Sequence, residues 1–136
     1  MGNEEQQQKF QQYQILQSQL EALQNEVQRI DGEIRELENT KQTIDQMKDV
    51  DEGEEVAMPI GSGAFAFGKL GKTDKVLINL GADSLAKKTI PEAKDILDER
   101  KKEIGKIRKT VSKNINRITK RLQELTPELQ KLSQGR

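Results

Sequence analysis

Along the first and last thirds of the chain, apolar residues recur every three or four positions, whereas between Val56 and Lys88 they recur every second position. A chain with that pattern has to supply two long helices separated by a small β region. From about Glu4 to Lys48 the seam runs Tyr13, Leu16, Leu20, Leu23, Val27, Ile30, Ile34 and Leu37, in alternating steps of three and four, and resumes at Ile44 after Lys41. This is a heptad repeat. Its apolar stripe covers one side of a helix only, so the helix requires a partner. The acidic segment Asp49-Val50-Asp51-Glu52-Gly53-Glu54-Glu55 follows as a linker.

Two β-hairpins are predicted next. Val56, Met58 and Ile60 alternate with Ala57 and Pro59, Gly61-Ser62-Gly63 turns the chain, and Phe65 and Phe67 return. After the polar turn Gly71-Lys72-Thr73-Asp74, Val76, Ile78 and Leu80 repeat the plan, Gly81-Ala82-Asp83 turns, and Leu85 leads to Lys87-Lys88. Isolated hairpins are marginal in water, so these strands need another surface to pack on. A compact globular core is a poor candidate. Of the 136 residues only 32% are hydrophobic and 3% aromatic, while 34% are charged, too lean for a core of that size. Disorder is excluded by the sustained periodicity on both flanks.

Thr89-Ile90-Pro91-Glu92 has the residue types of a capping box, with Pro91 tolerated in the first turn, and opens the second helix. Its seam reads Leu97, Ile104, Ile107, Val111, Ile115, Ile118, Leu122, Leu125, Leu129 and Leu132, with two successive steps of four around Val111 and Ile115 that predict a stutter. Thr126-Pro127 predicts a kink or break, and residues 133–136 a frayed end. Residues whose numbers total about 138 match as apolar rungs if the helices run antiparallel: Leu16 with Leu122, Leu20 with Ile118, Leu23 with Ile115, Val27 with Val111, Ile34 with Ile104. Charge agrees. Residues 1–55 carry 14 acidic and 5 basic residues, and residues 91–136 carry 7 acidic and 13 basic, so opposite signs meet across the seam. The expected organisation is a helix over 1–50, two hairpins over 51–89 and a helix over 90–136, forming one domain.

The function classes narrow quickly. The chain has no cysteine and no histidine, which removes disulfides, thiolate and imidazole metal ligands, and nucleophilic triads built on either residue. Exposed carboxylates such as Glu36 and Glu38 have nothing to perturb them for acid and base chemistry. No enzyme activity, metal or cofactor is expected. The N-terminal sequence has neither a signal-peptide pattern nor a myristoylation pattern, and no apolar run approaches the roughly 20 residues of a membrane span. The expectation is a cytoplasmic protein without a membrane partner. Ala66-Phe67-Gly68-Lys69-Leu70-Gly71-Lys72-Thr73 satisfies the loose string of a phosphate-binding loop. That loop must open into a helix N-terminus, however, whereas Lys75-Val76-Leu77-Ile78 alternates as a strand. Lys101, Lys102, Arg108 and Lys109 make the second helix basic, but no aromatic stacking partners accompany them, so an RNA-binding arm is the weaker alternative.

The free end of the helical pair stands out. Phe10, Tyr13, Ile15 and Leu16 cluster near the start, and Leu122, Leu125, Leu129 and Leu132 near the finish. One stripe per helix cannot cover all of them, so they are expected to stay partly exposed. Two readings remain open: they zip the helices together, or they hold an apolar segment of another protein.

Met58-Pro59-Ile60-Gly61-Ser62-Gly63-Ala64-Phe65, Thr73-Asp74-Lys75-Val76-Leu77-Ile78-Asn79-Leu80-Gly81-Ala82 and Lys88-Thr89-Ile90-Pro91-Glu92-Ala93, set between two heptad helices, resemble the alpha-class subunits of prefoldin, with the archaeal type the nearest in pattern. The resemblance covers essentially the whole chain, and the hairpin motifs are its specific part. The glycine-rich return strand Ala66-Phe67-Gly68 and Pro91 are mild departures. The resemblance implies a mainly α fold, a long antiparallel two-helix coiled coil with two β-hairpins between the helices, whose hairpins assemble into a shared β-barrel body. It further implies an ATP-independent co-chaperone, a hetero-hexamer of two alpha and four prefoldin beta subunits, that captures unfolded client proteins at the coiled-coil tips and delivers them to a group II chaperonin in the cytosol. By position, Ile60, Phe65, Phe67, Val76, Ile78 and Leu80 would carry oligomerisation, and the eight tip residues named above would carry client contact. A purely structural coiled-coil tether with closed tips is the main alternative.

Overall fold

The computed structural model describes residues 2–134. Helix α1 (Gly2–Gln46) passes through a short 3-10 turn, Met47–Asp49, into strands β1 (Glu55–Gly61), β2 (Ala64–Lys69), β3 (Lys75–Gly81) and β4 (Ser84–Thr89), and helix α2 (Ile90–Gln134) closes the chain. These are the two helices and two hairpins that the periodicity predicts. The frayed end expected over 133–136 is not seen as far as Gln134, which is still helical. Gly135 and Arg136 lie outside the described residues.

The chain divides into two compact units, residues 1–34 with 103–136, and residues 35–102. In the first unit the helices run antiparallel, fixed by ion pairs from Lys9 to Glu128 (3.4 Å) and from Arg108 to Asp31 (2.6 Å). Both pairs agree with a register total close to 138. Ile30, Val111 and Leu125 are the buried positions of its seam.

Two sequence expectations are corrected here. Ile107 is 54% exposed, and Arg108 is half-buried in its place. The covered positions include 104, 108, 111, 115, 118, 122, 125, 129 and 132, a seam in steps of four and three, so Ile107 makes no stutter with Val111 and Ile115. The physical reason is that an arginine can lay its aliphatic stem in a seam while its guanidinium reaches a carboxylate at the edge. Nor does Pro127 break the helix, since α2 continues past it. The Thr126 hydroxyl, one position before it, donates to the Leu122 carbonyl (2.9 Å).

In the second unit, Ile44 of α1, Ile78 of β3 and Ala93 and Leu97 of α2 form a buried cluster, flanked by Leu37, Val76, Ile90 and Ile96. Lys94 bridges to Asp45 (2.7 Å) and Lys101 to Glu38 (2.8 Å), the acidic-to-basic match anticipated from composition, while Lys41 bridges to Asp98 (2.7 Å) with the signs reversed. The capping box forms as its residue types require. The Glu92 amide donates to the Thr89 Oγ1 (3.3 Å), while the Thr89 amide and hydroxyl donate to the Glu92 carboxylate (3.3 and 2.8 Å).

The hairpins are separate two-stranded antiparallel sheets with one design. Glu55 faces Lys69 in the first and Lys75 faces Thr89 in the second, and both ladders shift register just before the turn, at Pro59/Gly61 and at Asn79/Gly81. The loops are two residues, Ser62-Gly63 and Ala82-Asp83, rather than the three residues read from the sequence, because Gly61 and Gly81 belong to the strands. All four loop residues have positive φ, between 49° and 79°, as in the tight turns that match strand twist. Leu70 extends the first ladder, its amide donating to the Glu54 carbonyl (2.9 Å) and its carbonyl accepting from Gly53 (2.7 Å).

Candidate functional site

Two surfaces present apolar side chains to solvent. The first is on the hairpins. Cross-strand register puts Pro59 opposite Phe65 and Ala57 opposite Phe67, so both phenylalanines share one face of the first hairpin, while Val56, Met58 and Ala66 share the other. Phe67 is 78% exposed, and Ile60 and Phe65 are also largely exposed. A hairpin apolar on both faces has no side that prefers water.

The second hairpin is different. Val76, Ile78 and Ala86 line one face, which packs on the helices, with Ile78 buried and Val76 partly buried against the cluster of Ile44, Ala93 and Leu97. Leu77 and Leu85 stand exposed on the opposite face, and Leu80 is exposed near the turn. Of the six residues named for oligomerisation, Ile60, Phe65, Phe67 and Leu80 are thus open to a partner. Val76 and Ile78 instead anchor the hairpin to its own helices. The alternation alone could not separate these roles, because it gives a face and not what covers it. The string Gly71-Lys72-Thr73 lies between β2 and β3 and leads into a strand, with the Thr73 hydroxyl donating to the Val50 carbonyl (3.4 Å).

The second surface is at the ends of α1 and α2 in the first unit. Phe10 and Ile15 are 52% and 57% exposed, whereas Tyr13, Leu16, Leu122, Leu129 and Leu132 are half-buried. Leu125 is a correction. Expected to be partly exposed, it is 0% exposed, because it occupies a seam position covered from across the pair. An open groove of about 780 Å³ lies at this end, with Phe10, Tyr13 and Leu129 as its apolar lining. The rest of the lining is glutamine: Gln6, Gln7, Gln11, Gln14 and Gln130. Sequence reasoning passed over these residues, since a glutamine fits any exposed helix face. The available signal was density, for eight of the fourteen residues from Gln6 to Gln19 are glutamine.

Charge is spent locally around both surfaces. Lys9, the single charge between Gln6 and Gln19, pairs with Glu5 and Glu128 (both 3.4 Å). Arg29 pairs with Glu26 and Glu33, and the hydrogen bond from Arg29 pulls the Glu26 carboxyl below the usual carboxylate range. The hydrogen bond to Asp31 raises Arg108 further above an already high value. Lys94 lowers Asp45 by its hydrogen bond, and the Thr89 hydroxyl lowers Glu92 in the capping box. These are stabilising partnerships of folded helices, and none leaves a group poised for proton transfer. Among the described residues no cluster suits a metal ion, and no helix is long and apolar enough to cross a membrane.

The comparisons with known proteins fit this geometry. The family model for the prefoldin subunit matches residues 16–135. Among curated relatives, a prefoldin subunit alpha of Methanothrix thermoacetophila is 44% identical over 46 residues, 34% of this chain and 30% of the relative. Prefoldin alpha subunits of Thermococcus onnurineus and Methanosarcina acetivorans are 29% identical over 88 residues and 31% identical over 89, covering 64% and 63% of this chain and 60% and 63% of those proteins. The matches span less than two thirds of these relatives' lengths. Among solved structures, the filamentous prefoldin of Methanocaldococcus jannaschii superposes with a TM-score of 0.77 at 27% identity, over 85% of this chain and 96% of that one. Two long helices with two antiparallel hairpins between them are the prefoldin fold, and the chain belongs to the prefoldin subunit family.

Proposed function

We propose that the chain is a subunit of an ATP-independent holdase of the cytoplasm. In this reading residues 51–89 join beta-class subunits in a β-barrel body of two alpha and four beta subunits. The coiled-coil tips capture unfolded proteins and pass them to a group II chaperonin. One observation carries the reading: Phe10 and Ile15 are more than half exposed beside a fully buried Leu125, so the tip keeps apolar surface that its own pairing does not use. Burying such a side chain contributes about 1.5–3 kcal/mol, which suits reversible holding by several weak contacts. The open faces around Ile60, Phe65, Phe67 and Leu80 support the assembly half of the reading.

The test is suppression of aggregation of a chemically unfolded model protein, without ATP, by this chain reconstituted with a beta-class subunit. A version cut before Tyr13 and after Leu122 is the control. The intact complex is expected to hold the client, and the truncated complex to assemble without holding it. Assembly of both with protection by neither would make the chain a structural tether. The RNA-binding alternative has less to draw on, because Lys94, Lys101 and Arg108 are each committed to an acidic partner.

A further inference from the structure

The tip groove combines three features. Its apolar floor is Phe10, Tyr13 and Leu129; its rim is five glutamines; and none of its lining residues is charged. From Gln6 to Gln19 the rim's helix carries one charge, Lys9, among eight glutamines, whereas farther along the helices ion pairs such as Arg29 with Glu33 are formed. No side-chain hydrogen bond engages Gln6, Gln7, Gln11, Gln14 or Gln130 among the described residues. Lys9, in the same stretch of α1, is shared between Glu5 and Glu128.

The chemistry of that rim selects an occupant. A carboxamide offers two donors and an acceptor on one neutral group, whereas a carboxylate only accepts and an ammonium only donates. An extended polypeptide presents both a donor and an acceptor at nearly every residue, without charge. A neutral rim able to answer both, around an apolar floor, fits an extended segment whose apolar side chains go down and whose backbone lies along the glutamines. It also forgoes the sorting by charge that a rim of lysines or glutamates imposes.

We propose that the tip groove binds extended, uncharged polypeptide segments through their backbone amides as well as their apolar side chains, the rim glutamines supplying the backbone contacts. This rests on the tip-capture reading above and names the segments that the tip takes.

The test turns on sign. Methionine matches glutamine in length and helix propensity but is apolar. If capture were apolar only, Gln7→Met/Gln11→Met/Gln14→Met would strengthen it; if the carboxamides contribute, the same variant weakens it. The probe is a fluorescent eight-residue Leu/Ala peptide with blocked ends, titrated by anisotropy into the full chain assembled with a beta-class subunit, with helicity checked by circular dichroism. A second probe is the same peptide N-methylated at alternate residues. A loss of roughly fivefold or more is expected for the triple variant with the first peptide, and little difference between wild type and variant with the methylated one. Equal or tighter binding of the first peptide by the methionine variant overturns the glutamine role. If Phe10→Ala still weakens binding in that case, the tip-capture reading survives; if Phe10→Ala has no effect either, or the wild-type complex does not bind the peptide, both readings fall.

Discussion

The guanidinium of Arg108 meets Asp31 across the helical pair, its Nε donating to Oδ1 at 2.6 Å and its Nη2 to Oδ2 at 3.3 Å. The pair occupies a level where the heptad pattern calls for an apolar residue, and both side chains remain about two fifths exposed. Such a pair, part in water, adds little stability, but its two-point geometry favours the register that brings Asp31 and Arg108 together. Replacing both residues, Asp31→Leu/Arg108→Leu, is therefore expected to hold or raise the melting temperature while broadening the register, read as extra species in disulfide trapping of cysteines introduced at positions 23 and 115. A single species in the double variant would show that the seam alone sets the register.

Leu125 and Ile15 allow packing to be tested apart from the proposed client contact at the tip. Leu125→Ala removes a fully buried side chain and is expected to cost about 2–5 kcal/mol in unfolding of the helical pair. Ile15→Ala removes an exposed one and should stay within about 0.5 kcal/mol of wild type, yet lower client retention in the aggregation assay. Chemical denaturation of the two variants, set beside that assay, checks both halves.

Gly32 and Gly105 are glycines inside helices, and a methyl group added at either meets no atom within 4 Å. Gly32→Ala and Gly105→Ala are each expected to stabilise by about 0.5–1 kcal/mol. Gly68→Ala is the contrast, since its Cβ would lie 2.6 Å from Cε of Met58 and the methionine would have to move. Melting curves of the three variants rank the effects.

Acid should loosen the body unit first at its carboxylate caps. Glu92 is held below the ordinary carboxyl value by the Thr89 hydroxyl and amide, and Asp45 by Lys94. Both groups are depressed on folding. Their contributions are therefore complete above the unfolded values of about 4 and are lost as pH falls through the lower folded ones. Glu92→Gln keeps an acceptor in the capping box and is expected to flatten the fall in melting temperature between about pH 5 and pH 2. An unchanged slope would remove Glu92 from the account.

Alone, the chain should self-associate through the first hairpin, whose strand edges and phenylalanine face are open. Phe65→Ser/Phe67→Ser is expected to shift sedimentation toward monomer without loss of helicity, because neither side chain belongs to the buried cluster.

Elements and their order were legible because each rests on periodicity. The capping box was legible as well, because its residue types permit little else at Thr89 and Glu92. Legibility failed where a polar residue does an apolar residue's work or the reverse: Arg108 took the place in the seam assigned to Ile107. It also failed where exposure depends on a distant neighbour, as with Leu125 under its partner helix and Ile78 under Ala93 and Leu97. The groove at the tip escaped notice because glutamine announces no chemistry one residue at a time; only five of them around Phe10 and Tyr13 do.

The second hairpin copies the first, down to the shift in register before each turn. One copy is fastened to the helices through Ile78, and the other leaves its Phe65 and Phe67 face in water while Val56 and Ala66 on the opposite face are part-covered. A single polypeptide thus holds two similar strand pairs of unequal commitment: one tied into its own core, the other with an aromatic face left to water.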